Sequence, residues 1–145
     1  MELAARLRGH TGEVECLSSP GDTTLVSGGE DGSVRLWDLA AGRAARAMIV
    51  PKSSDNTVTA VCLGAADEAA QWIWAATRTH VIGFDLRAPG VLLREPARAF
   101  LGLASDEISH LALHEPSGVL AVADDAGQHA DHAQYSAAPA AKLGR

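Results

Sequence analysis

The stretch from Ser27 to Leu39 reads SGGEDGSVRLWDL, and it decides the fold class. At its centre, Asp31-Gly32 is a strong β-turn signal, because Gly32 can adopt the positive φ that a tight hairpin needs. The run that follows, SVRLWDL, alternates polar and apolar residues and ends in Trp37-Asp38. Short alternating runs on either side of such a turn predict two antiparallel strands.

The same strand pattern recurs about every 47 residues along the chain, which is the period of a four-stranded propeller blade. The segments EVECLSS, VTAVCLG and EISHLAL share one pattern, which places Cys16, Cys62 and His110 at the same position. TTLVSGG, QWIWAAT and GVLAVAD supply a second strand in each unit, and SVRLWDL and HVIGFDL a third in the first two. RAARAMIV and VLLREPARAFL supply a fourth. The repeats therefore predict an all-β protein.

The pattern predicts one repetitive domain over residues 1–128, with units at about 9–50, 55–101 and 105–128. After LAVADDAGQ the alternation ends, and the Ala-rich segment 129–145 is predicted to be a disordered tail. The third unit is therefore expected to lack its third and fourth strands. About two and a half blades are predicted.

Unit one resembles a WD repeat, with Gly9-His10 before the first strand, LVSGGEDGSV around the second and Trp37-Asp38 closing the third. The resemblance implies a partial WD-repeat β-propeller. It also implies a structural tetrad of hydrogen-bonded side chains within the blade: His10, Ser27, Asp31 and Trp37. A buried indole N–H needs an acceptor, and a serine hydroxyl both accepts and donates, so the set is chemically consistent.

The other two units depart from the WD pattern. In unit two, Phe84 replaces the tryptophan and Ala76 the serine; in unit three, Val122 and Ala126 take the serine and aspartate positions. Neither unit can form the tetrad. We therefore expect these units to depend on apolar packing and backbone hydrogen bonds.

From about His10 to Gln128, the chain also resembles small WD-repeat propellers that serve as substrate receptors for cullin-4 ubiquitin ligases; GFDLRAPG, DEISHLAL and GVLAVADDAGQ carry this resemblance. It implies a protein-interaction scaffold whose partners include the adaptor of such a ligase. In that family a Trp-Asp-x-Arg motif ends the third strand, and its Arg contacts the adaptor. Phe84-Asp85-Leu86-Arg87 keeps the Asp and the Arg, so Asp85 and Arg87 are the predicted partner-binding residues. A solvated Arg at a strand end is the alternative interpretation.

His10, Ser27 and Asp31 also have the composition of a Ser-His-Asp catalytic triad. Nothing near Ser27 resembles the strand-to-helix nucleophile elbow, and the repeat already accounts for all three residues. We therefore expect no enzymatic activity, and a hydrolase using His10 and Ser27 is a distant alternative.

The composition excludes several other classes. The net charge is −6 and no run of Lys or Arg interrupts it, which disfavours nucleic-acid binding. No window approaches the ~18 consecutive apolar residues of a membrane span. Two cysteines without a secretion signal indicate reduced thiols in the cytoplasm or nucleus. No cofactor or metal is expected: His129, Asp131 and His132 are close together but lack a firm third ligand.

An array of two and a half blades is too short to close, since closed propellers have four to eight. A blade needs neighbours on both sides, and exposed apolar sheet edges favour self-association. A truncated or mis-spliced fragment without independent function is the main alternative to a working scaffold, ahead of assembly with another chain. We expect the isolated chain to be unstable or to self-associate.

Overall fold

The computed structural model describes residues 3–52, 55–64, 71–126 and 133–136. The elements in these ranges are twelve β-strands, two more than the ten that the alternating runs predict. They are β1 (Val14–Ser18), β2 (Thr24–Gly29), β3 (Ser33–Asp38), β4 (Arg43–Ile49), β5 (Val58–Leu63), β6 (Trp72–Thr77), β7 (His80–Asp85), β8 (Leu92–Leu93), β9 (Arg98–Phe100), β10 (Ile108–His114), β11 (Val119–Asp124) and β12 (Ala133–Ser136).

The strands form three sheets, one for each repeat unit. Their orders are β1-β2-β3-β4-β8, β5-β6-β7-β9 and β10-β11-β12. We call β1–β4 blade 1, the second sheet blade 2 and the third sheet blade 3. The all-β prediction, with four-stranded blades, is confirmed. Gly32, in the turn between β2 and β3, has a φ of +69°, as the hairpin requires.

A β-bulge interrupts the first ladder of every blade at the same place, between Val14 and Cys16, Val58 and Ala60, and Ile108 and His110. This bulge defines equivalent positions, and the residues that follow it are Cys16, Ala60 and His110. The predicted equivalence of Cys62 with Cys16 and His110 is therefore wrong. Cys62 lies two residues further along its strand, opposite Trp74, because the apolar pattern does not reveal where the ladder shifts.

Blade 3 has a third strand that the sequence did not predict. β12 pairs antiparallel with β11, with Ala121 opposite Tyr135. The prediction of an unstructured tail is wrong for Ala133–Ser136, because a strand edge can be paired through backbone N–H and C=O groups without an alternating apolar pattern. The rest of segment 129–145, with His129, Asp131 and His132, lies outside the described residues.

The connection between β7 and β9 crosses from blade 2 to the outer edge of blade 1. Its strand β8 pairs in parallel with β4, with Ala47 opposite Leu92. Thus the predicted fourth strand VLLREPARAFL is divided, because β8 joins blade 1 and β9 completes blade 2. The Arg46 guanidinium donates hydrogen bonds to three carbonyl oxygens of this connection, those of Leu86, Ala88 and Gly90.

The apolar core lies between the blades, in two clusters. Blades 1 and 2 meet through Val26, Val34 and Met48 on one side and Val58, Val61, Ile73, Ile82 and Phe84 on the other. Blades 2 and 3 meet through Ala60, Cys62, Trp74, Ala76 and Val81 on one side and Ile108, Leu111, Leu120 and Val122 on the other. Each blade therefore obtains its core by packing against a neighbour.

Gly28 provides a test of the packing between blades 1 and 2. A Cβ at this position would lie 2.4 Å from Cγ1 of Val58 and 2.8 Å from Sγ of Cys16. We expect Gly28→Ala to lower the free energy of unfolding by ~1–3 kcal/mol, because the blades must separate to admit the methyl group. Urea denaturation measures this loss.

Gly21→Ala is the matched control for this substitution. A Cβ at Gly21 would meet no atom within 4 Å. Its effect should stay within ~0.5 kcal/mol of wild type. Equal effects of the two substitutions would contradict the proposed contact between Gly28 and Val58.

Candidate functional site

The four predicted tetrad residues of blade 1 form a continuous chain of hydrogen bonds. Trp37 Nε1 donates to Ser27 Oγ at 2.8 Å, and Ser27 Oγ lies 2.7 Å from His10 Nε2. On the other side of the ring, His10 Nδ1 lies 3.0 Å from Asp31 Oδ2. The chain links the segment before β1 to β2, β3 and the turn between those two strands.

The network assigns the proton on the His10 ring. Because Ser27 Oγ accepts the indole N–H of Trp37, it uses its own hydrogen to donate to His10 Nε2. Nε2 is then the acceptor, so the ring proton lies on Nδ1 and is donated to the Asp31 carboxylate. Every donor in this row of four hydrogen-bonded side chains therefore has an acceptor.

Asp31 is the anionic end of this chain. Burial alone would raise its pKa, but several donors outweigh it: Thr11 N at 3.0 Å, Ser33 Oγ at 2.7 Å, and the His10 ring. Together they lower the pKa of Asp31 to about 2. Ser33 was not predicted as part of the site. The sequence feature that could have identified Ser33 is its position two residues after Asp31. From there its backbone N–H also donates to the Asp31 carboxylate, at 3.0 Å.

The arrangement holds Ser27 in the blade and makes it poorly placed for catalysis. Only 2% of Ser27 is exposed, and its oxygen contacts both Trp37 and His10. A serine nucleophile must reach a substrate carbonyl and needs an oxyanion site beside it. The burial of Ser27 therefore disfavours the hydrolase interpretation.

The corresponding positions in the other blades are apolar. By strand pairing, the residue equivalent to Ser27 is Ala75 in blade 2 and Val122 in blade 3. Ala75 lies one position before Ala76, the residue that the sequence pattern predicted. Phe84 occupies the place of Trp37 and is fully buried. These two blades are held by packing.

Asp85 and Arg87 lie together at the end of β7. Arg87 Nε donates to Asp85 Oδ1 at 2.9 Å and Nη2 donates to Oδ2 at 2.7 Å, a bidentate pair. The Arg87 N–H also reaches Oδ1 at 2.9 Å. The Arg87 hydrogen bonds are the main cause of a lowered pKa at Asp85, and 47% of the Arg87 side chain remains exposed.

Arg46 of blade 1 fixes the backbone on both sides of Arg87. Its guanidinium binds the carbonyl oxygens of Leu86 and Ala88, the two neighbours of Arg87 in the chain. Its charge also contributes to the lowered pKa of Asp85. No sequence pattern indicates this role, because Arg46 belongs to a different repeat unit about 40 residues away.

Neither thiol has the features of a reactive or metal-binding cysteine. Both cysteines are free. Burial raises the pKa of Cys16 to about 11 and also raises that of Cys62, so both stay protonated at neutral pH. Within the described ranges, possible ligand atoms of three residues approach within 4.8 Å of one another only in an exposed group of carboxylates, Glu13, Glu15 and Glu30. No helix there has the length and apolar character needed to cross a membrane.

Comparison with known proteins finds similarity to WD-repeat proteins. The profile of the family described as "WD domain, G-beta repeat" matches residues 1–38. The WD repeat-containing protein 53 homolog of Dictyostelium discoideum is 30% identical over 127 residues, which is 87% of this chain and 33% of that protein. Ribosome biogenesis protein BOP1 of Homo sapiens is 48% identical over 64 residues, 41% of this chain and 9% of that protein.

A solved structure supports the fold assignment. A chain from a humanized mutant of the Chaetomium thermophilum Polycomb Repressive Complex 2, bound to the inhibitor GSK126, superposes with a TM-score of 0.67. It covers 81% of this chain and 27% of the other, at 13% identity. The present chain spans about a third of the first relative and less of the second.

The low pKa of Asp31 predicts a pH dependence of stability. An unfolded Asp titrates near its ordinary value of 3.8, whereas Asp31 titrates at about 2 in the folded protein. The Asp31 network therefore stabilises the protein fully above the unfolded pKa, and this contribution is lost as the pH falls from ~4 towards ~2. We expect Asp31→Asn to destabilise the protein at pH 6 and to approach wild type across that window.

Urea denaturation at a series of pH values measures this difference. Asp22→Asn, in an exposed turn, controls for the loss of one negative charge. A gap between wild type and Asp31→Asn that stays constant down to the lowest pH would contradict the assignment.

Proposed function

We propose that this chain, a WD-repeat protein, acts as a non-catalytic scaffold that binds other proteins in the cytoplasm or nucleus. More specifically, we propose that it is a substrate receptor for a cullin-4 ubiquitin ligase. WD-repeat proteins act as scaffolds for protein interactions, which supports the first statement. The observation that carries the second is the oriented, half-exposed Arg87 at the end of β7.

Arg87 suits an interface contact because its geometry is set before binding. The bidentate pair with Asp85 restricts the guanidinium, and Arg46 fixes the backbone on either side. Such an arginine loses less conformational entropy on binding than a mobile one. Arginine is also enriched among the residues that dominate binding energy at interfaces.

The place of Arg87 in the blade is consistent with an adaptor contact. Asp85 is the last residue of β7, so Arg87 lies in the turn that follows the third strand. This is the position of the Arg in the Trp-Asp-x-Arg motif. Blade 2 departs from the motif at Phe84, which packs between blades 1 and 2, so the change alters the core and leaves the exposed Asp-Arg pair.

Arg87→Ala tests this proposal in a pull-down with the cullin-4 ligase adaptor. We expect the variant to bind at least about thirtyfold more weakly, since losing an arginine that anchors an interface costs ~2 kcal/mol or more. Arg94→Ala is the matched control, because Arg94 is an exposed arginine of the same connection. Capture by the control should equal capture by wild type.

Two other outcomes of this experiment would contradict the proposal. Unchanged capture by Arg87→Ala would remove Arg87 from the interface. If wild type itself captured no adaptor, the receptor proposal would fall, and a fragment without independent function would be favoured.

Ser27→Ala distinguishes the scaffold from a hydrolase. The substitution leaves the buried Trp37 N–H without its acceptor and His10 Nε2 without its donor. We expect it to lower the free energy of unfolding by ~1–3 kcal/mol and to leave the surface around Arg87 unchanged. Ester hydrolysis present in wild type and lost in a folded Ser27→Ala variant would instead support catalysis.

A further inference from the structure

Blade 1 exposes a sheet face that is covered in the other two blades. We call the side of a blade that faces the preceding unit its near face, and the opposite side its far face. The near face of blade 1 contains the side chains of Val14, Leu17, Leu25 and the buried Trp37, which line an open groove together with Leu7–His10 of the segment before β1. Within the described part of the chain, no other blade packs on it.

Equivalent positions show what this face lacks. Val14, Val58 and Ile108 each precede the bulge in the first strand of their blade. Val58 and Ile108 are fully buried against the preceding blade, whereas Val14 is 50% exposed. The position is apolar in all three blades and is buried wherever a neighbour is present.

The next near-face position of the same strand behaves in the same way. Leu17, Val61 and Leu111 pair with equivalent residues of the second strand. Val61 and Leu111 are 5% and 4% exposed, but Leu17 is 64% exposed. A preceding blade would therefore cover both apolar positions.

In blade 3 it is the far face that no described blade covers. Ala121 is equivalent to Val26 and Trp74, which are both fully buried by the following blade, yet Ala121 is only partly buried. Ala112 is exposed, whereas its equivalent Cys62 is 7% exposed. The far face of blade 3 and the near face of blade 1 are thus the two kinds of surface that meet at each interface between blades.

The sizes of the side chains on these two faces also fit each other, a large residue on one facing a small residue on the other. At the first interface Val58 packs closely against Gly28, and at the second Ala76, equivalent to Gly28, lies in the same cluster as Ile108. Blade 3 has Ala123 at this place. Ala123 can therefore receive Val14, as a small far-face residue receives a large near-face residue at both existing interfaces.

A polar contact at the second interface has a counterpart at the free ends as well. Thr59, the bulge residue of blade 2, donates its hydroxyl to the carbonyl oxygen of Ile108 at 2.5 Å. Ser109 is the bulge residue of blade 3, and its hydroxyl is the equivalent donor. The carbonyl oxygen equivalent to that of Ile108 belongs to Val14 of blade 1.

We propose that a second copy of this chain covers these faces, with the far face of each blade 3 packed on the near face of the other copy's blade 1. The described residues of two copies supply six blades, within the four to eight of closed propellers. Contacts between unlike faces close into a ring when the rotation per subunit fits. In such a dimer every apolar sheet face of the described blades would be covered. This proposal is independent of the ligase partner.

Sedimentation equilibrium of the full chain, compared with a face variant, tests the dimer. We expect wild type at twice the mass of one chain, and Leu17→Glu to weaken association by at least about tenfold. Leu17 is exposed in the single chain, so circular dichroism should show native-like strand content. Leu101→Glu, at a similarly exposed leucine in a turn of blade 2, should leave the dimer intact.

A second variant distinguishes unlike-face contacts from like-face contacts. Ala112→Glu should also dissociate the dimer, and an equimolar mixture with Leu17→Glu should regain heterodimer through its single intact interface. A monomeric wild type, dissociation by Leu17→Glu alone, or an open polymer would each overturn the ring. A monomer whose near face binds an added propeller protein would identify a different occupant and would also overturn it.

Discussion

A β-sheet has two faces, and the apolar residues on both must be covered; the rest of this structure depends on that requirement. Ser27 and Trp37 point to the near face of blade 1, while Val26 and Val34 point to its far face, because successive residues of a strand alternate in direction. Blade 2 shows the requirement met on both sides, since its six-residue β6 is buried throughout. Blades 1 and 3 each have one face packed on blade 2 and one face that no described blade covers.

The tetrad stabilises the near face of blade 1, on which the segment before β1 lies but no described blade packs. Its polar atoms bond to one another and keep the buried indole of Trp37, 3% exposed, supplied with an acceptor without help from a neighbour. Asp31 ties this network to the turn and to the segment before β1. The other blades need no such network, because apolar residues such as Phe84 and Val122 are buried between blades there. The degeneracy of the later repeats therefore has a structural basis: packing replaces hydrogen bonding.

The sequence predicted features whose cause is local. The Asp31-Gly32 turn and the alternation on either side of it define blade 1, because each depends on residues close in the chain. What it did not predict depends on distant partners or on the backbone alone. β12 is held by the free edge of β11, and the place of Cys62 depends on a bulge that leaves no mark in the apolar pattern. The role of Arg46 depends on carbonyl groups of another blade.

The same long-range contacts connect the candidate binding site to the fold. Arg87 lies in a connection whose strand β8 belongs to the sheet of blade 1, and Arg46 holds that connection through its carbonyl groups. The orientation of Arg87 is therefore a property of the joint between blades 1 and 2 and not of blade 2 alone. A change that separates these blades should displace Arg87 even though it is exposed. The stability of the array and the geometry of the proposed partner contact are for this reason coupled, and the proposed ring closure, which would restrain both blades, would act on both.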